Sequence, residues 1–471
     1  MSAELDARID AYVDEVWEDV VSDIASLVGH ASIADAAKAE PGAPFGPEVR
    51  DALDCALGIA RRLGYDVSDD DGYVGMADIA GEYEEQIATI AHVDVVPAGP
   101  GWGTDPFEMV RREGWLLGRG VIDDKGPAVL SLYAGAFLIR EGIRPRYTFR
   151  ALLGCDEEVG MTDVHHYLER HDDPLFLFTP DAEFPVCNAE KGCFGATFLT
   201  PAVPGGLIRS WSGAEATNAI PGESVLELAL DASVLPVPVA NADRIAIESL
   251  GEGVSRITAK GIGGHASLPE GTVNAIALIV GYLRESGVLG EGAVPALDML
   301  ATIHADTAGD GIGIAASSPA FGPLTCNAGT ISVRDDGALE QTIDVRFPDS
   351  ITDAELVAAC ENLAARFAGS VEVSRSKPPF SVDASSPQVQ ALIDIYNEQT
   401  GRDAKPFAMG GGTYARNFKS AVSFGPEDND LELPEWAGTM HGPNEAASEE
   451  LLRDALKMYI KAILRLQELD Y

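Results

Sequence analysis

Basic side chains are scarce in this sequence. Only 33 Lys and Arg stand against 75 Asp and Glu, for a formal net charge of −42. A field of that sign repels nucleic acid and anionic membranes, so neither is an expected partner. It does not repel metal cations or zwitterionic peptides. Long apolar runs are also missing. Each is broken by a charge or a glycine well short of the roughly 20 residues that a membrane span needs. No basic segment precedes an apolar one at the N-terminus. The acidic, periodic residues 3–27 predict an amphipathic helix rather than a secretion signal. The six cysteines are scattered and form no CxxC pair, which predicts free thiols in a reducing, cytoplasmic compartment. There is no internal repeat and no low-complexity tail.

What is present is a folded-protein composition, 46% hydrophobic over 471 residues, too long for one ordinary core. Helical signals at 3–27, 48–63 and 128–139 alternate with strand-like runs at 65–67, 73–79, 86–91, 115–117, 147–153 and 175–179. This predicts an α/β domain with a mixed, mostly parallel sheet flanked by helices. From about residue 191 the texture becomes that of an inserted α+β domain, and a return to the first domain follows residue 383. The expected division is 1–190, 191–383 and 384–471. Three of the strand-like runs lead straight into polar groups: His92 and Asp94, then CDEEVG at 155–160, then PDAEFP at 180–185. In open α/β sheets, ligands bind beyond the carboxyl ends of strands.

The stretch GRGVIDDKGP, residues 118–127, places Asp123 beside Asp124, with Lys125 behind them. One lysine offsets only part of the repulsion between two adjacent carboxylates, so a bound cation is the natural complement. Taken alone, the motif reads as a solvated turn. It gains meaning from the other candidate ligands, His92, Glu158, Asp181 and His441, which like Asp123 offer nitrogen or oxygen to Zn²⁺ or Mn²⁺. Five ligands are too few for two separate saturated sites but suffice for two metals that share one carboxylate and a hydroxide. Glu157, next to Glu158, is the candidate base that generates the hydroxide. The cysteines read as packing residues, and His165, His166 and His171 as surface residues.

Together HVDVVPAG (92–99), GRGVIDDKGP, CDEEVG, PDAEFP and HGPNE (441–445) resemble the metal-binding motifs of the dinuclear-zinc aminoacylase/carboxypeptidase metallopeptidase family. Within it the chain looks most like the PepV-type, or Xaa-His, dipeptidase branch. Three features carry this: EKG at 190–192 after PDAEFP, GGGTYAR at 410–416, and the long insertion. The resemblance covers essentially the whole chain, and residues 40–47 and 308–323 match nothing in it.

The resemblance implies a catalytic domain with an inserted lid and two divalent ions. Zn²⁺ is the expected metal, with Mn²⁺ or Co²⁺ as alternatives. It implies that His92 binds one ion, His441 the other and Asp123 both, with Glu158 and Asp181 completing the two sets. Asp94 would orient His92, Glu157 would be the general acid/base, and the Asp123–Asp124 peptide would be cis. In the lid, His265 would approach the oxyanion, Asn218 the substrate, and Arg346 the substrate's free carboxylate. Gly411 and Gly412 would let the backbone approach a ligand, with Tyr414 and Arg416 nearby. The expected activity is hydrolysis of small peptides with free ends by a monomer. Two alternatives remain open: an amidohydrolase of N-acyl amino acids, and a non-catalytic peptide- or metal-binding protein.

Overall fold

The computed structural model describes residues 3–428 and 431–471, and the chain divides into two compact units. The first comprises Met1–Asn188, Ser381–Phe407 and Gly412–Tyr471, and the second Ala189–Phe380 and Ala408–Gly411. The short stretch 408–411 therefore belongs with the second unit, which the glycine run alone does not reveal. No helix among the described residues is long and apolar enough to cross a membrane. All six cysteines are free and five are buried.

The first unit is a mixed α/β sheet flanked by helices. In chain order its elements are α1 (Ala3–Val28), α2 (Pro47–Leu63), β1 (Asp66–Asp70), β2 (Val74–Ile79), β3 (Tyr83–His92), α3 (Lys125–Glu141), β4 (Tyr147–Gly154), α4 (Thr162–Leu168), β5 (Phe176–Thr179), α5 (Pro387–Thr400), β6 (Ala421–Ser423) and α6 (Glu449–Leu466). The sheet runs β1-β2-β4-β3-β5-β6 and continues onto the strand at Cys187–Glu190. The pairs β4–β3, β3–β5 and β5–β6 are parallel, whereas β1–β2, β2–β4 and the pairing of β6 with Cys187–Glu190 are antiparallel. The centre of this sheet is buried on both faces, which explains the unbroken apolar run at the end of β3.

α3 shows why a helix can lack an amphipathic pattern. Every residue in 125–138 is buried, because α3 packs against α1, α2, α6 and β3 at once. Its first turn must also pass close to the preceding loop: a Cβ at Gly126 would run into the carbonyl of Val121. The helix ends at Gly142 in the left-handed conformation, φ 66°.

The second unit holds two four-stranded antiparallel sheets. One orders Thr325–Val333, Leu339–Phe347, Gly192–Leu199 and Ser370–Lys377, with helix Asp353–Arg366 against it. The other orders Ile208–Ser212, Glu223–Leu228, Val254–Lys260 and Ile245–Gly251, covered by helix Ala275–Ser286. Each sheet has its own apolar cluster, one around Leu226, Ile257 and Ile279 and the other around Phe194, Val345 and Leu356.

Candidate metal centre

Three adjacent parallel strands deliver their C-terminal residues to one edge of the first unit's sheet. β3 ends at His92, β4 leads into 155–158, and β5 into Pro180 and Asp181. His92 lies opposite Gly154 in the register, and a Cβ at Gly154 would collide with the Tyr414 hydroxyl, so this strand end must be glycine.

His92 is fully buried. Its Nδ1 lies 2.9 Å from the carbonyl oxygen of Asp94 and donates to it, which leaves Nε2 free to act as a ligand. Nε2 is 3.0 Å from Asp123 Oδ1 and 3.8 Å from Asp181 Oδ2. The other oxygen of Asp123 lies 2.8 Å from His441 Nε2, which is 3.3 Å from Glu158 Oε2. Two donor sets result, His92–Asp123–Asp181 and Asp123–Glu158–His441, each with its ligand atoms within 4.8 Å of one another. Asp123 stands in both, one oxygen toward each. The five ligand candidates are thus brought together, and the Asp123–Asp124 peptide is cis.

The electrostatics show what such a cluster needs. Burial and the Asp181 charge push the carboxyls of Glu157 and Asp124 well above the usual range. Burial also raises Glu158, helped by Asp123, and raises Asp181 despite its hydrogen bond from His92. His92 and His441 respond in the opposite sense. Burial opposes charge on His92, but Asp123, Asp181 and Asp94 raise it overall, while Asp123 and Glu158 push His441 up to about 11. Protons are held where cations would fit, on nitrogen and oxygen donors of the type that Zn²⁺ and Mn²⁺ accept. The residues present therefore fit two divalent ions.

Several side chains around the cluster were not evident from the sequence. The Asp94 carboxylate does more than face His92, from which its Oδ1 is 3.5 Å: it accepts the backbone N–H groups of Glu157 (3.2 Å) and Glu158 (3.1 Å). Glu445, the last residue of HGPNE, is fully buried. Its Oε1 accepts from the N–H groups of Gly120 (3.0 Å), Ile122 (3.2 Å) and Asp123 (3.4 Å), and its Oε2 pairs with buried Arg119. Arg119 in turn donates to the carbonyl of His441 at 3.2 Å. Asp163 accepts from the N–H groups of Cys155 and Asp156 and thereby anchors the loop that leads to Glu157. Lys125 does not pair with its neighbour Asp124. It donates to the carbonyl of His30 at 2.6 Å, and burial drops its pKa to about 7.

Tyr414 is fully buried, with its ring centroid 6.4 Å from that of His92, and its hydroxyl donates to Asp163. It is a strut beneath the 155–158 loop. Arg416 follows on the same short 3₁₀ turn and is partly buried.

The second unit brings Asn218 and His265 together through a two-stranded ribbon in which Ala219 pairs with His265. Asn218 Nδ2 is 3.5 Å from His265 Nε2, and His265 Nδ1 lies 2.6 Å from Ser267 Oγ. Arg346 is buried and heavily engaged. Nε donates to Asp344 Oδ1 (2.7 Å), Nη2 to Asp344 Oδ2 (3.2 Å), and Nη1 to Gly410 O (2.7 Å) and Cys193 Sγ (3.2 Å). One of its five N–H donors remains for a ligand. Gly411 is counted with the second unit and Gly412 with the first, and neither has the left-handed backbone that favours glycine.

A sequence profile described as peptidase family M20/M25/M40 matches residues 88–465. A Bacillus subtilis (strain 168) protein, provisionally named dipeptidase YtjP, is 30% identical over 445 residues, covering 92% of this chain and 94% of its own. Among solved structures, the Saccharomyces cerevisiae dipeptidase Dug1p superposes with a TM-score of 0.61 at 12% identity, over 100% of both chains. Human carnosine dipeptidase 1 superposes with a TM-score of 0.60 at 15% identity, over 99% of both.

Proposed function

From the premise that the chain belongs to peptidase family M20/M25/M40, we propose that it is a metal-dependent dipeptidase acting on small peptides with free ends. One observation carries the reading: two three-donor sets share Asp123, and beside them stands Glu157, a carboxyl that feels the charges of Asp181, Glu158 and Asp123. The name of the Bacillus relative supports the same reading.

On this reading His92 and Asp181 hold one divalent ion, Glu158 and His441 the other, and Asp123 both, with Zn²⁺ as the expected metal and Mn²⁺ or Co²⁺ as alternatives. Bound there, the pair of ions supplies Lewis acidity for the scissile carbonyl and lowers the pKa of the attacking water. The chain's own residues do the rest. Glu157 takes a proton from that water and returns it to the departing amine nitrogen. A carboxyl beside the attacking water can hold the proton between those two steps. Asp94 fixes Glu157 and Glu158 through their backbone N–H groups. Asp181 also offers charge to the substrate's amino group. His265 would donate to the developing oxyanion. Asn218 lies within reach of the same ring, and Arg346 would offer its remaining donor to the terminal carboxylate.

The test is hydrolysis of unmodified dipeptides by metal-loaded protein, before and after chelation, beside the Glu157→Gln variant. Loss of a general base costs about 10²–10⁴-fold in rate, and the variant should keep its metal. Full activity in Glu157→Gln would refute the assignment. Turnover of N-acetyl amino acids with none of dipeptides would favour the amidohydrolase alternative.

A further inference from the structure

We propose that Asp70, Asp71 and His166, with His171 beside Asp70, form a third divalent-cation site in the first unit, sharing no residue with the Asp123 cluster. Asp70 closes β1, His166 lies on α4, and His171 follows α4 by three residues. The β1–β2 hairpin and the packing of α4 against β2 bring these distant residues together.

The first argument is spacing. Asp70 Oδ2 is 3.5 Å from His166 Nε2 and 3.6 Å from His171 Nε2. Both distances exceed the 2.7–3.2 Å of ordinary N–H···O hydrogen bonds. They match the edge of a tetrahedron around an ion with bonds of about 2.0–2.1 Å, which is roughly 3.4 Å. Asp71 offers a further carboxylate, since Asp70, Asp71 and His166 each place a ligand atom within 4.8 Å of the others.

The second argument is unmet need. Asp70 Oδ2 and His166 Nε2 are buried atoms, and neither has a hydrogen-bond partner. Buried polar atoms are almost always satisfied, so a pair left open toward each other marks a place for something else. No lysine or arginine pairs with Asp70 among the described residues. Its neighbour Asp69 takes Arg50 instead.

The third argument is orientation. The His166 ring stacks on Tyr73 with centroids 3.7 Å apart and planes 4° apart, and His171 stacks on Tyr167 at 4.6 Å and 21°. Both imidazoles are held before any ion arrives, as ligands in a built site are. An imidazole with two carboxylates suits Zn²⁺ or Co²⁺ better than Ca²⁺ or Mg²⁺, which take oxygen ligands. An ion here would clasp the turn after β1 to α4, the helix whose Asp163 steadies the loop leading to Glu157.

The test counts zinc. Full-length protein is equilibrated at fixed micromolar free Zn²⁺, and zinc per chain is measured by mass spectrometry for wild type, Asp70→Asn and the double variant His166→Gln/His171→Gln. Each variant should hold one ion fewer than wild type and retain its peptidase rate. Equal counts in all three would overturn the site. Should the variants fail to fold, an anomalous difference map of zinc-equilibrated wild-type crystals decides. A peak between Asp70 and His166 supports the site, and an empty map there overturns it.

Discussion

The substitution Glu445→Gln isolates the contribution of one buried carboxylate to the whole metal centre. Glu445 is buried with Arg119 as its ion-pair partner, and its other oxygen accepts three backbone N–H groups of 120–123. Glutamine keeps an acceptor for those N–H groups but turns an amide toward the guanidinium. Removing one partner of a buried pair costs about 3–5 kcal/mol, because the surviving charge is left desolvated. For a unit of this size, each kcal/mol moves the melting midpoint by about 2 °C, so a fall of roughly 6–10 °C is expected. The measurement belongs with metal present: the Glu445 pKa is raised to about 7, by burial first and the Asp123 charge second, and cations offset the latter. Because Arg119 also binds the His441 carbonyl, the variant loosens Asp123 and His441 together, and metal affinity should fall about 10–100-fold. Calorimetry and metal competition read the two effects. A shift below 2 °C with unchanged affinity would refute the reasoning. Glu445→Ala should be worse still, since it strands the three N–H groups at about 1–3 kcal/mol each.

Other outcomes follow from the same geometry. In the metal-free protein, carboxyls with raised pKa, Glu445 and Asp163 both at about 7, bind more protons folded than unfolded. Their contribution to stability is therefore full below the ordinary carboxyl pKa and lost as pH rises through about 7, so chelated protein should melt lower at pH 8 than at pH 5. Metal uptake should release protons over that range and tighten with pH, as titration in buffers of different ionisation enthalpy would show. Tyr414→Phe should lower stability by about 1–2 kcal/mol and leave KM unchanged, whereas a large rise in KM would restore a substrate role to that hydroxyl. Gly154→Ala drives a methyl into Tyr414, so both stability and turnover should fall, and a fully active, equally stable variant would contradict the packing.

What the sequence discloses and what it hides divide along physical lines. The strands that end at His92, Gly154 and Thr179 announce themselves as apolar runs that stop at polar residues, because a central parallel strand must be apolar on both faces. The fold class and the gathering of five ligands follow from that pattern. Glu445 and Asp163 were not legible. A carboxylate that accepts backbone N–H groups looks the same in sequence as one in water, although the final Glu of HGPNE was available as a signal. The burial of Tyr414 was hidden for a related reason: it packs against Gly154, some 260 residues earlier. His166 and His171 read as surface residues because their stacking on Tyr73 and Tyr167 is invisible in the sequence.

The order in which the chain emerges during synthesis has a consequence of its own. His92, Asp123 and Asp181 are all made within the first 181 residues, whereas His441 arrives only after the second unit's main segment, Ala189–Phe380. β5 likewise keeps one edge bare until β6, Ala421–Ser423, is made to pair with it. A nascent chain can therefore assemble one donor set and two of the three donors of the other, but not the shared pair. On the reading proposed here, a half-made peptidase is inert toward its surroundings, and the last few dozen residues switch it on.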